Sequence, residues 1–463
     1  MCLFQKGYID VMVTLTFCGG ARSVTGANYL VETANSKILV DCGLAQGSRY
    51  AEVQNYKNFS YDPKTIDAVV ITHAHIDHTG RLPKLVRDGF RGKIFMTRPT
   101  QDLASIMLED AQGLIGEEAR RDRHEPLYLK EDKENTIKLM EGVDYGDEME
   151  VNKDIKFRLR DAGHILGSAI VEMWVEGKKI VFSGDLGNPP VPLLKPTEYI
   201  DDAEYVVVES TYGDRLHEAV DERRNMLEDA IEDTVARGGV LMIPAFALER
   251  TQELLYELNS LVENHRIPEV PIFIDSPLAI DATEIYKKYP EYYNKNAVYL
   301  IESGDQLFKF PRLKLCYTTE ESKAINDVPA PKIIIAGSGM SSGGRILHHE
   351  RRYLSDPNSL FLIIGYQSAG SLGRAVFDKA REVKIMGESV RVNCEIRAIG
   401  GYSAHADQAK LYHWVSHIKD GGKLKKVFAV QGEDAASLAF VRLLRDNLGV
   451  DADAPLLGDK VEL

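Results

Sequence analysis

Apolar positions fall into short runs with two rhythms along the chain. Near the start, residues 14–17 alternate as a strand, and Tyr29-Leu30-Val31-Glu32 and Lys37-Ile38-Leu39-Val40-Asp41 follow after turn-rich gaps. Hairpin after hairpin, this predicts a β-meander. Ala68-Val69-Val70 is a continuous apolar run that reads as a buried strand, and residues 81–87 read as the start of a helix. Within 101–140, Ala104, Met107, Leu108 and Ala111 recur at helical spacing, with Arg120, Arg121 and Arg123 on a solvated face and His124 at the surface. Strands resume at 155–159, 169–175, 179–182 and 205–208. Past residue 209 strands alternate with amphipathic helices. Strands at 239–246, 271–278 and 332–340 flank a helix over 249–261, whose Leu254, Leu255, Leu258 and Leu261 share one face. That alternation implies a small parallel-sheet α/β domain. A strand at 426–430 and a helix over 436–444 then return to the first domain.

The chain's 463 residues suffice for two or three domains. With 44% hydrophobic and 27% charged residues, neither disorder nor a membrane protein is favoured, and no stretch reaches the length of a membrane span. Cys2, Cys18, Cys42, Cys316 and Cys394 form no C-x-x-C pair, which fits reduced thiols in a cytoplasm. Residues 1–11 carry no secretory pattern and read as an upstream extension of little structural weight. A net charge of −14 argues against sequence-blind binding of nucleic acid by the whole surface. The segment 331–381 runs against that total, with seven Lys or Arg and three acids. Its glycines, Gly337, Gly339, Gly343 and Gly344, beside Ser338 and Arg345, form either a backbone nest for phosphate or simply a tight connection.

The densest chemistry lies in Ile71-Thr72-His73-Ala74-His75-Ile76-Asp77-His78-Thr79-Gly80, a strand-to-helix turn. Alternation places His73 and His75 on one side of an extended segment, and the bend returns Asp77 and His78 to the same pocket. Those donors exceed one closed tetrahedral zinc and suit two neighbouring ions with open positions for water. Downstream, Gly163-His164 precedes a strand, Gly184-Asp185-Leu186-Gly187 ends one, and Glu209 ends another. Asp41 ends its strand beside a glycine, as a turn residue or as a group holding a histidine in place.

In this order the motifs resemble the β-CASP branch of the metallo-β-lactamase superfamily, nucleic-acid-processing nucleases such as ribonuclease J. The resemblance runs from Met12 to Leu463 and includes the Tyr402-Ser403-Ala404-His405-Ala406-Asp407 stretch. It implies an αββα sandwich with an inserted α/β cap: residues 12–208, then the insert at 209–393, then 394–463. It also implies two Zn2+ ions. One would rest on His73, His75 and His164 with Asp185 bridging, the other on Asp77, His78 and Asp185 with Gln431 nearby. Asp41 would hold a metal-ligating histidine. Asp77, Glu209 and His405 would be catalytic, and Ser338, Arg345, Arg374 and Ser403 would meet substrate. Single-stranded RNA is the implied partner of a cytoplasmic hydrolase that uses no membrane, with a homodimer left open. One departure stands out: the family closes its second metal site with a histidine in a His-Gly-Glu turn, and here the turn reads Gln431-Gly432-Glu433. A neutral amide is a weaker zinc ligand than imidazole, so the second ion is expected to be held loosely or through water. The rival readings are another hydrolase on the same scaffold and a non-catalytic RNA-binding relative.

Overall fold

A computed structural model describes residues 12–463 except positions 48, 218, 219 and 369; the side chains of 49–52, 122, 220 and 221 are also left undescribed. The expected upstream extension, with Cys2, lies outside the described residues. The first strands are β1 (Thr14–Gly19), β2 (Asn28–Glu32), β3 (Lys37–Val40), β4 (Ala68–Val70), β5 (Lys93–Thr97) and β6 (Met140–Val143). Next come β7 (Glu148–Asn152), β8 (Ile155–Asp161), β9 (Ala169–Val175), β10 (Lys178–Phe182) and β11 (Tyr205–Glu209). The insert supplies β12 (Val240–Pro244), β13 (Ile272–Asp275), β14 (Leu313–Leu315), β15 (Lys332–Ala336) and β16 (Leu360–Ile363). It also supplies the hairpin β17 (Glu382–Ile385) and β18 (Glu388–Arg391), then β19 (Glu395–Ala398). The chain closes with β20 (Lys426–Val430), β21 (Asp451–Asp453) and β22 (Lys460–Glu462).

Two seven-stranded sheets, ordered β22-β1-β2-β3-β4-β5-β6 and β21-β20-β11-β10-β9-β8-β7, form the main lobe. Their facing sides bury Leu15, Phe17, Val31, Val40 and Val70 against Phe157, Val171, Phe182, Val207 and Phe428. This is the pairing expected when each strand turns alternate side chains toward one core. Helices cover both outer faces. Leu82, Leu85, Leu103 and Leu108 pack behind the first sheet, and Leu411, Trp414, Phe440 and Leu444 behind the second. The αββα sandwich is therefore present. The predicted meander holds for β1 to β3, after which β3, β4, β5 and β6 pair in parallel.

The insert folds on a third sheet, β14-β13-β15-β12-β16-β19, paired in parallel throughout. The helix Arg250–Glu263 buries Leu254, Leu255, Leu258 and Leu261 as its spacing required. β19, at the start of the segment expected to return to the first domain, pairs with β16 in this sheet. β11 and β20 pair in parallel, Glu209 opposite Val430, and just past the end of β11 Tyr212 bridges Asp407 of the returning chain.

Candidate metal centre

His73 and His75 follow β4 in an irregular segment rather than in the strand itself, and Asp77 and His78 lie on the single helical turn Ile76–Thr79. What holds this segment is Asp41. Thr72 N–H donates to Asp41 Oδ1 at 2.8 Å, the Thr72 hydroxyl to Oδ2 at 2.9 Å, and His78 Nδ1 lies 2.8 Å from Oδ2. A carboxylate can only accept, so His78 carries hydrogen on Nδ1 and turns Nε2 inward. His164 is presented by the turn after β8, where Ser168 Oγ accepts the N–H groups of His164 and Ile165.

The donors converge. His75 Nδ1 lies 3.0 Å from His73 Nε2 and 3.2 Å from His164 Nε2. Asp185 Oδ2 lies 3.5 Å from His73 Nε2 and 3.6 Å from His164 Nε2. Burial pushes the pKa of His73 and His164 well below the usual range and that of His75 down to about 3, so all three rings are neutral. Neutral imidazole nitrogens held this close, with Asp185 Oδ2 beside two of them, form a donor set that fits a divalent cation such as Zn2+.

Asp185 also belongs to a second cluster with Glu209 and His405. Glu209 is wholly buried at the end of β11. Its Oε1 accepts Leu186 N–H at 2.6 Å and its Oε2 lies 3.0 Å from His405 Nδ1. Burial favours a neutral His405, but the charges of Glu209 and Asp185 outweigh it and push the pKa up to about 9. Ser403 Oγ accepts His405 N–H at 3.3 Å, and Asn188 Nδ2 donates to the Ser403 carbonyl at 3.1 Å.

Residues 24–90 match the metallo-beta-lactamase superfamily, 251–376 the Beta-Casp domain and 389–455 the Zn-dependent metallo-hydrolase RNA specificity domain. Ribonuclease TTHA0252 of Thermus thermophilus is 38% identical over 426 residues, covering 92% of this chain and 94% of its own. This chain belongs to the β-CASP branch of the metallo-β-lactamase superfamily. An RNase J-like protein of Methanocaldococcus jannaschii is 32% identical, covering 96% of this chain and 99% of its own. The transcription termination factor FttA of Methanosarcina mazei is 31% identical, covering 96% and 71%. A crystal structure of a protein of unknown function from Enterococcus faecalis shares the fold at a TM-score of 0.53 and 12% identity, covering 98% of this chain and all of that one.

The second donor set departs from the β-CASP pattern at Gln431. His78 Nε2 lies 3.5 Å from Asp185 Oδ1 and 3.9 Å from Asp77 Oδ2, and burial pushes the Asp77 pKa up to about 6. Gln431 reaches the pocket as expected, but its amide nitrogen faces His78 Nε2 at 3.0 Å while its oxygen accepts Tyr29 O–H at 3.3 Å. Three of the four substrate candidates already bond within the chain. Arg345 donates to Asp275 Oδ1 at 2.8 Å and to the carbonyls of Cys316 and Tyr317. Arg374 pairs with Asp378 at 2.9 Å, and Ser338 Oγ accepts the N–H groups of Ser342 and Gly343. Ser338 N–H itself donates to the Gly343 carbonyl, so the loop closes on itself as a tight connection. The basic segment is likewise spent in part: Arg351 pairs with Glu388, and Lys332 is buried on the carbonyls of Ile325 and Val328.

Sequence reasoning passed over Thr72, inside the quoted run, and Tyr212, three residues past Glu209. The Tyr212 ring centroid lies 6.3 Å from His405 and 5.9 Å from Tyr366 of the insert. Tyr366 O–H donates to Glu433 Oε1 at 2.6 Å across the two lobes. The signal for Tyr212 was its place in the turn that follows a strand-ending acid.

Proposed function

We propose that this chain hydrolyses RNA phosphodiester bonds in a metal-dependent reaction, leaving a 5′-phosphate and a 3′-hydroxyl. The observation that carries it is the His73/His75/His164/Asp185 donor set sharing Asp185 with the Glu209–His405 pair. Those four side chains would hold the ion. When bound, it supplies positive charge that acidifies water and neutralises phosphate oxygens. Asp77 accepts the proton of the attacking water, for which a carboxyl shifted toward neutrality is suited. As the P–O3′ bond breaks, the departing oxygen needs a proton. His405 gives it from Nε2, because Nδ1 is committed to Glu209. Glu209 positions that ring and keeps it charged. The half-buried Tyr366 ring, backed by the buried Tyr212, offers a face on which a base stacks. RNA is favoured over DNA by the RNA specificity domain matched at 389–455 and by relatives named as ribonucleases. The intact Glu209–His405 pair disfavours a silent RNA-binding role.

The test is cleavage of 5′-labelled RNA with bound metal quantified. Cleavage should stop in chelator and return with zinc, and His405→Ala should keep its metal while losing about 10²–10⁴-fold in turnover. A metal-loaded native chain that leaves RNA intact would refute the reading.

A further inference from the structure

We propose that this centre holds a single divalent ion, on His73, His75, His164 and Asp185, and that the Gln431 amide fills the place of a second. The proposal rests on the metal-dependent reading above and sharpens it. Four observations carry it.

The first is the direction of the amide. Gln431 Nε2 lies 3.2 Å from the Val24 carbonyl oxygen, and Gln431 Oε1 takes the Tyr29 hydroxyl. Turning the amide over would set its oxygen against the Val24 oxygen, two acceptors face to face. So the NH2 group, which has no lone pair to offer a cation, is the end that faces His78. The second is the mooring of Gln431. Its N–H donates to the Gly20 carbonyl at 2.7 Å, its carbonyl accepts the Thr211 hydroxyl at 2.8 Å, and the residue is 3% exposed. The third is Gly20. At φ +63° a Cβ there would stand 2.5 Å from Gln431 Oε1 and 2.7 Å from the Tyr29 hydroxyl oxygen, so the bare glycine leaves room for the amide in this orientation. The fourth is His78. With Nδ1–H given to Asp41, a neutral ring has only Nε2 to offer, and that lone pair accepts the Gln431 N–H. In this structure the Gln431 NH2 group therefore stands where a second ion would meet that nitrogen.

Elemental analysis after dialysis against buffered zinc reads the stoichiometry, and a cobalt(II) titration followed by visible absorption reads it independently. The native chain should hold one ion and its cobalt spectrum should saturate at one equivalent. Gln431→Leu should also hold one, since the amide ligates nothing, and Gln431→His should hold two. Two ions in the native chain, or loss of the ion in Gln431→Leu, would overturn the proposal and leave the metal-hydrolase reading standing. One ion in a folded Gln431→His chain would overturn the claim that the amide excludes the second. No ion in any of them would overturn the metal reading itself. If Gln431→His does not fold, the native cobalt titration decides alone.

Discussion

Replacing Glu209 by Gln should move the alkaline limb of the pH–rate profile. In the native chain Glu209 Oε2 lies 3.0 Å from His405 Nδ1, and its charge is the largest influence raising a ring pKa that burial alone would lower. With that pKa at about 9, the ring is about 97% protonated at pH 7.5. Without the carboxylate it falls toward the ordinary histidine value of about 6.5, at which about 9% of the rings carry a proton. An acid needed in the transition state is then roughly tenfold scarcer at pH 7.5. The sign follows: the deficit grows as pH rises from the new value toward the old one, and shrinks below about pH 6, where both proteins hold the proton. The assay is single-turnover cleavage of end-labelled RNA from pH 5.5 to 9, with bound metal measured in both proteins. A variant-to-native rate ratio that stays constant across this range would refute the charge-holding role of Glu209 and leave only a steric one.

Gly43→Ala should damage the centre from behind, because its Cβ would fall 1.5 Å from the Asp77 carbonyl oxygen and 2.7 Å from the His78 nitrogen. Forcing that backbone aside should cost about 1–3 kcal/mol and weaken metal binding; unchanged Tm and metal affinity would show that the two loops are not in register as described. Glu249→Gln should flatten the pH dependence of stability. Glu249 is buried with Oε2 accepting Tyr286 O–H at 2.6 Å and Oε1 unpartnered; burial, with Glu253 adding, pushes its pKa up to about 8. The folded chain thus keeps a proton that the unfolded chain releases near pH 4.5, so this stability is full below that value and is lost as pH rises through about 8, at up to about 1.4 kcal/mol per pH unit. Melting curves from pH 5 to 9 that run parallel in both proteins would remove Glu249 from this account.

Local signals carried far here. A buried strand, a turn crowded with His73, His75, Asp77 and His78, and strand ends at Asp41, Asp185 and Glu209 are properties of short stretches, and all of these groups meet in the folded chain. What the sequence could not show depends on partners far away. Arg345 reads as a free cation until Asp275, 70 residues earlier, takes it. Gln431 reads as a weak ligand until Val24 and Tyr29, 407 and 402 residues away, decide which end of its amide faces inward. β19 reads as the start of the returning lobe because nothing within Glu395–Ala398 says that its neighbour is β16.

The adjacency of β11 and β20 has a bearing on how the protein is made. The donors His73, His75, His164 and Asp185 lie between residues 73 and 185, whereas the Glu209–His405 bond closes across 196 residues and waits for the whole insert. On the proposed mechanism, a chain leaving the ribosome exposes its cation-binding groups long before the imidazole that would finish a cut, and cannot sever RNA until that residue has been made.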